Sequence, residues 1–212
     1  MSTLGRLLTY LSGSAAVLVL GGVLARVQPR LWPWMLPYLA FEVSTAVFAF
    51  ISPKARVPAW GWTETLVPSV ATWLYVVGFA VLHGSPVSNP WVRGASEGLS
   101  LVGYGLGTWA LLNLRTAFSV LPEVRTLVAT GPYRFVRHPM YLAYFLITAG
   151  SVVAEPSPSL LAAAAVWAGL MYARARVEER KLAANLPGYL GYAARTGALV
   201  PGLGRLMPEG NP

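Results

Sequence analysis

The sequence predicts an all-α, polytopic integral membrane protein of about six transmembrane helices, the last two forming a short hairpin. Three observations carry that reading. Hydrophobic residues make up 55% of the 212 and charged residues only 11%, where a soluble domain carries about 25% charged residues. Apolar runs long enough, or nearly long enough, to cross a bilayer as helices recur along the chain. The polar residues that remain gather in two clusters that flank the last two runs.

The first run spans Leu7 to Leu24, with Arg26 and Arg30 after it. Arg6 is a thin basic start for a cleaved leader and no small-x-small site closes the run, so it reads as a helix. The second spans Trp34 to Ile51 and holds Glu42 near its middle, a costly carboxylate that must face other helices or be protonated. The stretch "SPKARVPAWGWTET" then reads as a polar loop with interfacial tryptophans. A third helix is expected over Val67 to Leu82. After it, "HGSPVSNPWVRGASEG" reads as a turn-rich loop with Pro86, Asn89 and Pro90 as breakers. A fourth helix is expected over Leu99 to Val120, where Gly103 and Gly107 permit a close helix contact. The fifth and sixth runs, Pro139 to Ala154 and Ser159 to Met171, are short and separated by "EPSPS". The sixth continues into a charged helix, "YARARVEERKLAANL". This divides the chain into N-terminal transmembrane helices, 1–113, and a C-terminal region, 114–212.

Charge sets the expected orientation. The formal net charge is +8, from 16 Lys and Arg against 8 acids. Lys54, Arg56, Arg125, Arg134, Arg137 and the basic C-terminus fall on one side, which the positive-inside rule makes cytoplasmic. Arg26 and Arg30 fall on the other side. With no basic stripe carrying interleaved aromatics, the excess fits anionic lipid at the inner face of the plasma membrane and not nucleic acid. All the acids are Glu and there is no Cys, which removes disulfides, thiolate sites and thiol nucleophiles. The two histidines, His83 and His138, are far apart, so no metal site is expected. The number of subunits is not legible.

The two polar clusters are Arg125–Tyr141 and Arg174–Tyr192. A helical hairpin returns the chain to the side it left, so both should meet at the cytoplasmic face. "GPYRFVRHPMY" would form one wall of a site and "RARVEERKL" the other. Pro139 suits the first turn of a helix. Free N–H groups at that helix start favour an anion. Glu178 and Glu179 supply acceptors for an ammonium or for ribose hydroxyls. Arg174 lies four residues before Glu178 and shares its helix face, whereas Arg176 points away. Tyr133, His138 and Tyr141 offer ring faces to a cation. The set suits a zwitterionic nucleoside ligand that carries a sulfonium, although an Arg/Glu helix alone also describes a solvated face.

"LPEVRTLVATGPYRFVRHPMYLAYF", followed by "RARVEERKLAANLPGYLGYAARTGALVPGL", resembles the isoprenylcysteine carboxyl methyltransferase family and the wider group of membrane phospholipid and isoprenoid methyltransferases. The resemblance covers roughly Leu114 to Leu203. It implies S-adenosyl-L-methionine as cofactor, held at the cytoplasmic C-terminal site. The implied contacts are Arg125, Thr126, Leu127, Val128, Tyr133, His138, Pro139, Met140, Tyr141 and Glu178. It places Arg174 next to the substrate and has Glu179 support the pocket. For an amine acceptor, Glu179 or His138 is the base candidate. The implied partner is a lipophilic small molecule or lipid, entering sideways between helices.

Three positions depart from the family's pattern. Arg125 stands where His is usual and Ala143 where Gly is usual. "LPGYLGY" lacks the acid usually found before Tyr189. Two other readings compete: an NADPH-dependent isoprenoid or sterol reductase, and a membrane scaffold without catalytic activity.

Overall fold

The computed structural model describes residues 32–51, 55–59, 61–75, 82, 85–119 and 121–204. The expected first helix, His83 and the side chain of Glu42 lie outside what it describes. Six α-helices occupy the described residues: α1 (Trp32–Ile51), α2 (Trp62–Trp73), α3 (Pro90–Leu114), α4 (Pro139–Ala154), α5 (Pro158–Asn185) and α6 (Tyr189–Arg195). Among the described residues there is no strand, only two isolated bridges, Val57 to Val124 and Val136 to Gly197.

Two helices begin earlier than their apolar runs. α3 starts at Pro90 and ends at Leu114, against the expected Leu99 to Val120. Asn89 and Pro90 are not breakers here. The Asn89 side chain accepts from the Trp91 N–H at 2.9 Å, and Pro90 takes the first helical position, where its missing N–H costs nothing. Arg115, at φ 49, then turns the chain out of the helix. α2 likewise starts at Trp62 and not at Val67, so "WTET" belongs to the helix and not to the loop.

The last two helices follow their sequence signals. α4 covers Pro139–Ala154, as its apolar run does. The Ser157 hydroxyl caps α5 by accepting from the Leu160 N–H at 3.1 Å. From there α5 runs 28 residues without a break, through the charged stretch. At 1.5 Å per residue it is about 42 Å long, while α4 is about 24 Å. α5 therefore outreaches α4 and carries Arg174 to Asn185 toward and beyond the start of its hairpin partner.

α5 is long and apolar enough to cross a bilayer by length and composition, and α4 is a shorter apolar helix. The exposed side chains agree with a membrane setting. Trp62, Leu66, Val70 and Trp73 on α2, and Leu36, Val43, Val47 and Ile51 on α1, are large, apolar and exposed. They recur at helical spacing and form outward faces that water would penalise and lipid would not. Among the described residues the fold is thus all-helical, and its apolar helices and outward faces fit association with a membrane.

α3 packs most extensively on α4, and small residues set that distance. A Cβ on Gly103 would come within 2.7 Å of the Ile147 side chain and 2.9 Å of the Ala143 carbonyl oxygen. A Cβ on Gly107 would come within 2.5 Å of the Phe41 ring. Gly103 thus seats α4, and Gly107 seats α1. Gly105, between them, meets nothing within 4 Å. Gly103→Ala should therefore destabilise the fold by about 1–3 kcal/mol through overpacking. Gly105→Ala should leave stability equal or raise it, because Ala is the better helix former. Thermal unfolding of the two variants in detergent checks this, and equal melting temperatures would remove the close contact from the account.

Candidate functional site

Between α4 and α5 on one side, and the segment 117–128 on the other, lies a cavity of about 210 Å³. One part of its wall is polar: Ser119, Glu123, Arg125, Tyr133, His138, Tyr141, Arg174 and Glu178. Another part is apolar and aromatic, with Ala71, Tyr75, Tyr144, Trp167 and Met171. The Tyr75 ring meets Tyr144 at 5.6 Å and Trp167 at 5.5 Å, which gives this part a continuous ring surface.

The residues carried over by resemblance converge here. Arg125, Thr126, Leu127, Val128, Tyr133, His138, Met140, Tyr141, Arg174 and Glu178 all line the cavity. Pro139 and Glu179 do not. Pro139 is buried at the start of α4. Glu179 faces away from Glu178, as adjacent residues on a helix must, being about 100° apart. Arg176 is exposed while Arg174 lines the cavity, in keeping with the four-residue spacing to Glu178.

Tyr141 is the hub of the α4 wall. Its ring lies flat on His138, with centroids 5.0 Å apart and planes 8° apart. Its hydroxyl donates to Glu178 Oε2. The Arg174 guanidinium sits over the same ring, 5.4 Å from its centroid. One tyrosine therefore fixes a carboxylate, a cation and an imidazole at one end of the cavity.

Glu179 holds the wall from behind. Its Oε1 accepts from Arg137 Nε at 2.8 Å and lies 2.9 Å from His138 Nε2. Arg137 is not among the expected site residues, yet its side chain has four partners. Its guanidinium also donates to the carbonyls of Ala193, Thr196 and Gly204. Its backbone N–H reaches the Gly197 carbonyl at 2.8 Å, and that of His138 reaches Ala198 at 3.1 Å. The C-terminal segment is thereby fastened to the "RHP" turn. The sequence signal is present in the second Arg of "RFVRHP", but its partners lie 56 to 67 residues away along the chain, apart from Glu179.

Three tyrosines close the base of the site. Tyr192 donates to the Tyr133 carbonyl at 2.6 Å. Burial pushes the Tyr192 phenol up to about 12, against the pull of Arg137. Burial, with Glu178 and Tyr192 nearby, holds Tyr133 far above the usual phenol range. Burial raises Tyr189 as well, aided by Glu179 and opposed by Arg137. All three stay neutral at physiological pH.

Residues 94–186 match the family model described as phospholipid methyltransferase. Over this segment the match agrees with the resemblance that the motifs carry to the phospholipid and isoprenylcysteine membrane methyltransferases. Two curated relatives are also similar. The nickel-cobalt-cadmium resistance protein NccN of Alcaligenes xylosoxydans xylosoxydans is 32% identical over 140 residues, 63% of each chain. The cobalt-zinc-cadmium resistance protein CzcN of Cupriavidus metallidurans is 33% identical over 143 residues, 63% of this chain and 64% of that relative. The match spans a little under two thirds of the length of these relatives.

Replacing Arg137, which also lines the cavity, should cost more than replacing Arg174, because it removes one of Glu179's two partners and the donor to three carbonyls. Arg137→Met is expected to lower stability by about 3–5 kcal/mol, the usual cost of breaking a buried ion pair from one side. It should also expose residues 196–204 to protease. Limited proteolysis with mass mapping checks this. A variant as resistant there as the wild type would contradict the clamp.

Proposed function

We propose that the protein is an S-adenosylmethionine-dependent methyltransferase of the membrane, with several spans and a cytoplasmic cofactor side, acting on a lipophilic acceptor. The observation that supports it most is the convergence of ten of the residues carried over by resemblance on one cavity of mixed lining. The residues fit the cofactor's chemistry. Carboxylates at Glu123 and Glu178, the guanidinium of Arg125 and the Tyr141 ring match a ligand bearing a carboxylate, an ammonium and a sulfonium. When bound, that cofactor supplies a methyl group made electrophilic by its sulfonium.

The chain's own work is alignment and exclusion of water. Tyr141 and Glu178 hold the donor side. Arg174, on the same helix face one turn earlier, orients an acceptor carboxylate by charge-assisted hydrogen bonds. If the acceptor is an amine, His138 lines the cavity as base, steadied by Glu179 behind it. The aromatic part of the wall, Tyr75, Tyr144 and Trp167, takes the apolar body of the acceptor.

The names of the curated relatives concern metal resistance. Among the described residues no group of three or more His or Glu side chains could hold a metal ion.

Binding and turnover separate the roles. Glu178→Gln should weaken S-adenosylmethionine binding about tenfold or more, the loss of a charged hydrogen-bond acceptor. Arg174→Lys keeps the charge but loses the planar fork. It should lower turnover while leaving cofactor affinity nearly intact, and Arg176→Lys should change neither. Calorimetric titration with S-adenosylmethionine and with NADPH, beside initial rates, checks all three. Binding of NADPH in place of the adenosyl ligand would favour a reductase and end this proposal.

A further inference from the structure

Residues 118–128 link α3 to the "GPYR" turn, and their backbone is pinned at one point. The Val124 N–H donates to the Val57 carbonyl at 3.0 Å, and the Val124 carbonyl accepts from Arg56 and Val57. In an extended stretch, alternate side chains face opposite ways. Val124 enters a small core with Leu186, Tyr189 and Tyr192. Glu123 and Arg125, on either side of it, both line the cavity.

They do so as an ordered pair. Glu123 Oε2 accepts from Arg125 at 2.9 Å and from the Ser119 hydroxyl at 2.8 Å. Their side chains are 3% and 9% exposed, so both charges have left water. A buried ion pair is often no more stable than an apolar replacement, so folding alone does not account for its position on a cavity wall. A carboxylate has lone pairs for more than two partners, and a guanidinium has five N–H donors. Each can serve the other and a ligand at once.

Side by side, an acceptor carboxylate and a donor guanidinium are the complement of one chemical group. An α-amino acid presents an ammonium and a carboxylate two bonds apart. We propose that Glu123, oriented by Ser119, and Arg125 seat the amino-acid end of the methyl donor, with Glu123 taking the ammonium and Arg125 the carboxylate. This rests on the methyltransferase reading above and adds a direction to it. The amino-acid end lies on the 119–125 wall and the remainder of the ligand extends toward Tyr141 and Glu178.

Two ligands that differ only by that end test it. S-adenosylhomocysteine carries the amino acid, and 5′-methylthioadenosine lacks it. Glu123→Gln keeps an acceptor for Ser119 and Arg125 but removes the charge. It should weaken S-adenosylhomocysteine about tenfold and leave methylthioadenosine nearly unchanged, which also shows that the pocket is folded. Ser119→Ala, which frees Glu123 to swing, should give a smaller loss with the same selectivity. Equal losses for both ligands in a folded variant, or no loss for either, would overturn the assignment. If Glu123→Gln does not fold, Ser119→Ala decides by the same comparison. A wild-type protein that binds neither ligand would instead overturn the methyltransferase reading, and this one with it.

Discussion

One oxygen, Oε1 of Glu179, joins the parts of the chain that make the site. It accepts from Arg137 Nε at 2.8 Å and lies 2.9 Å from His138 Nε2. Arg137 is buried, and its remaining donors go to carbonyls of α6 and the segment after it. The long helix α5, the "RHP" turn and the C-terminal segment are therefore fixed to each other through one carboxylate. A charge removed from water is tolerable only when its hydrogen-bonding capacity is filled, and here the filling is what assembles the cavity wall. Held this way, His138 presents its ring to Tyr141, and Tyr141 in turn sets Glu178 and Arg174.

The two adjacent glutamates take separate places in this arrangement. Neighbours on a helix point about 100° apart. Glu179 turns toward the clamp and Glu178 toward the cavity. The same geometry sorts the arginines of α5, so that Arg174 lines the cavity and Arg176 is exposed. A second latch lies further along α5. Lys181 Nζ donates to the Pro58 carbonyl at 2.7 Å and to Glu64 Oε2 at 2.6 Å, tying α2 and the residues before it to the same helix. α2 contributes Ala71 and Thr72 to the cavity, and Tyr75 follows just after it, so the apolar wall also depends on α5.

Much of this is legible in the amino-acid sequence. Pro139 and the run after it give α4 with its observed bounds, because proline at a helix start and an uninterrupted apolar stretch are local signals. The hairpin argument brings the two polar clusters together correctly, since it needs only helix direction. The start of α3 is harder to place, because Asn89 and Pro90 serve equally as turn formers and as a helix start, and polar residues in its first turns hide the choice. Arg137 does not stand out as a clamp, because its carbonyl partners lie far along the chain and mostly in a segment without regular structure. Glu123 escapes notice because one acid in a loop carries no period. Only the alternation of Glu123, Val124 and Arg125, together with the strand-like contact to Val57, reveals that both charges face one way.

The central claim is that this cavity transfers a methyl group to something that dissolves in the membrane. The most direct measurement incubates the purified protein in lipid extract from its own membrane with S-adenosylmethionine labelled by deuterium in the methyl group. Mass spectrometry then searches for products. The account predicts a lipophilic product heavier by one labelled methyl, formed by the wild type and not by Glu178→Gln. Labelled product formed equally by both proteins, or no labelled product despite tight cofactor binding across the full range of membrane lipids, would contradict it.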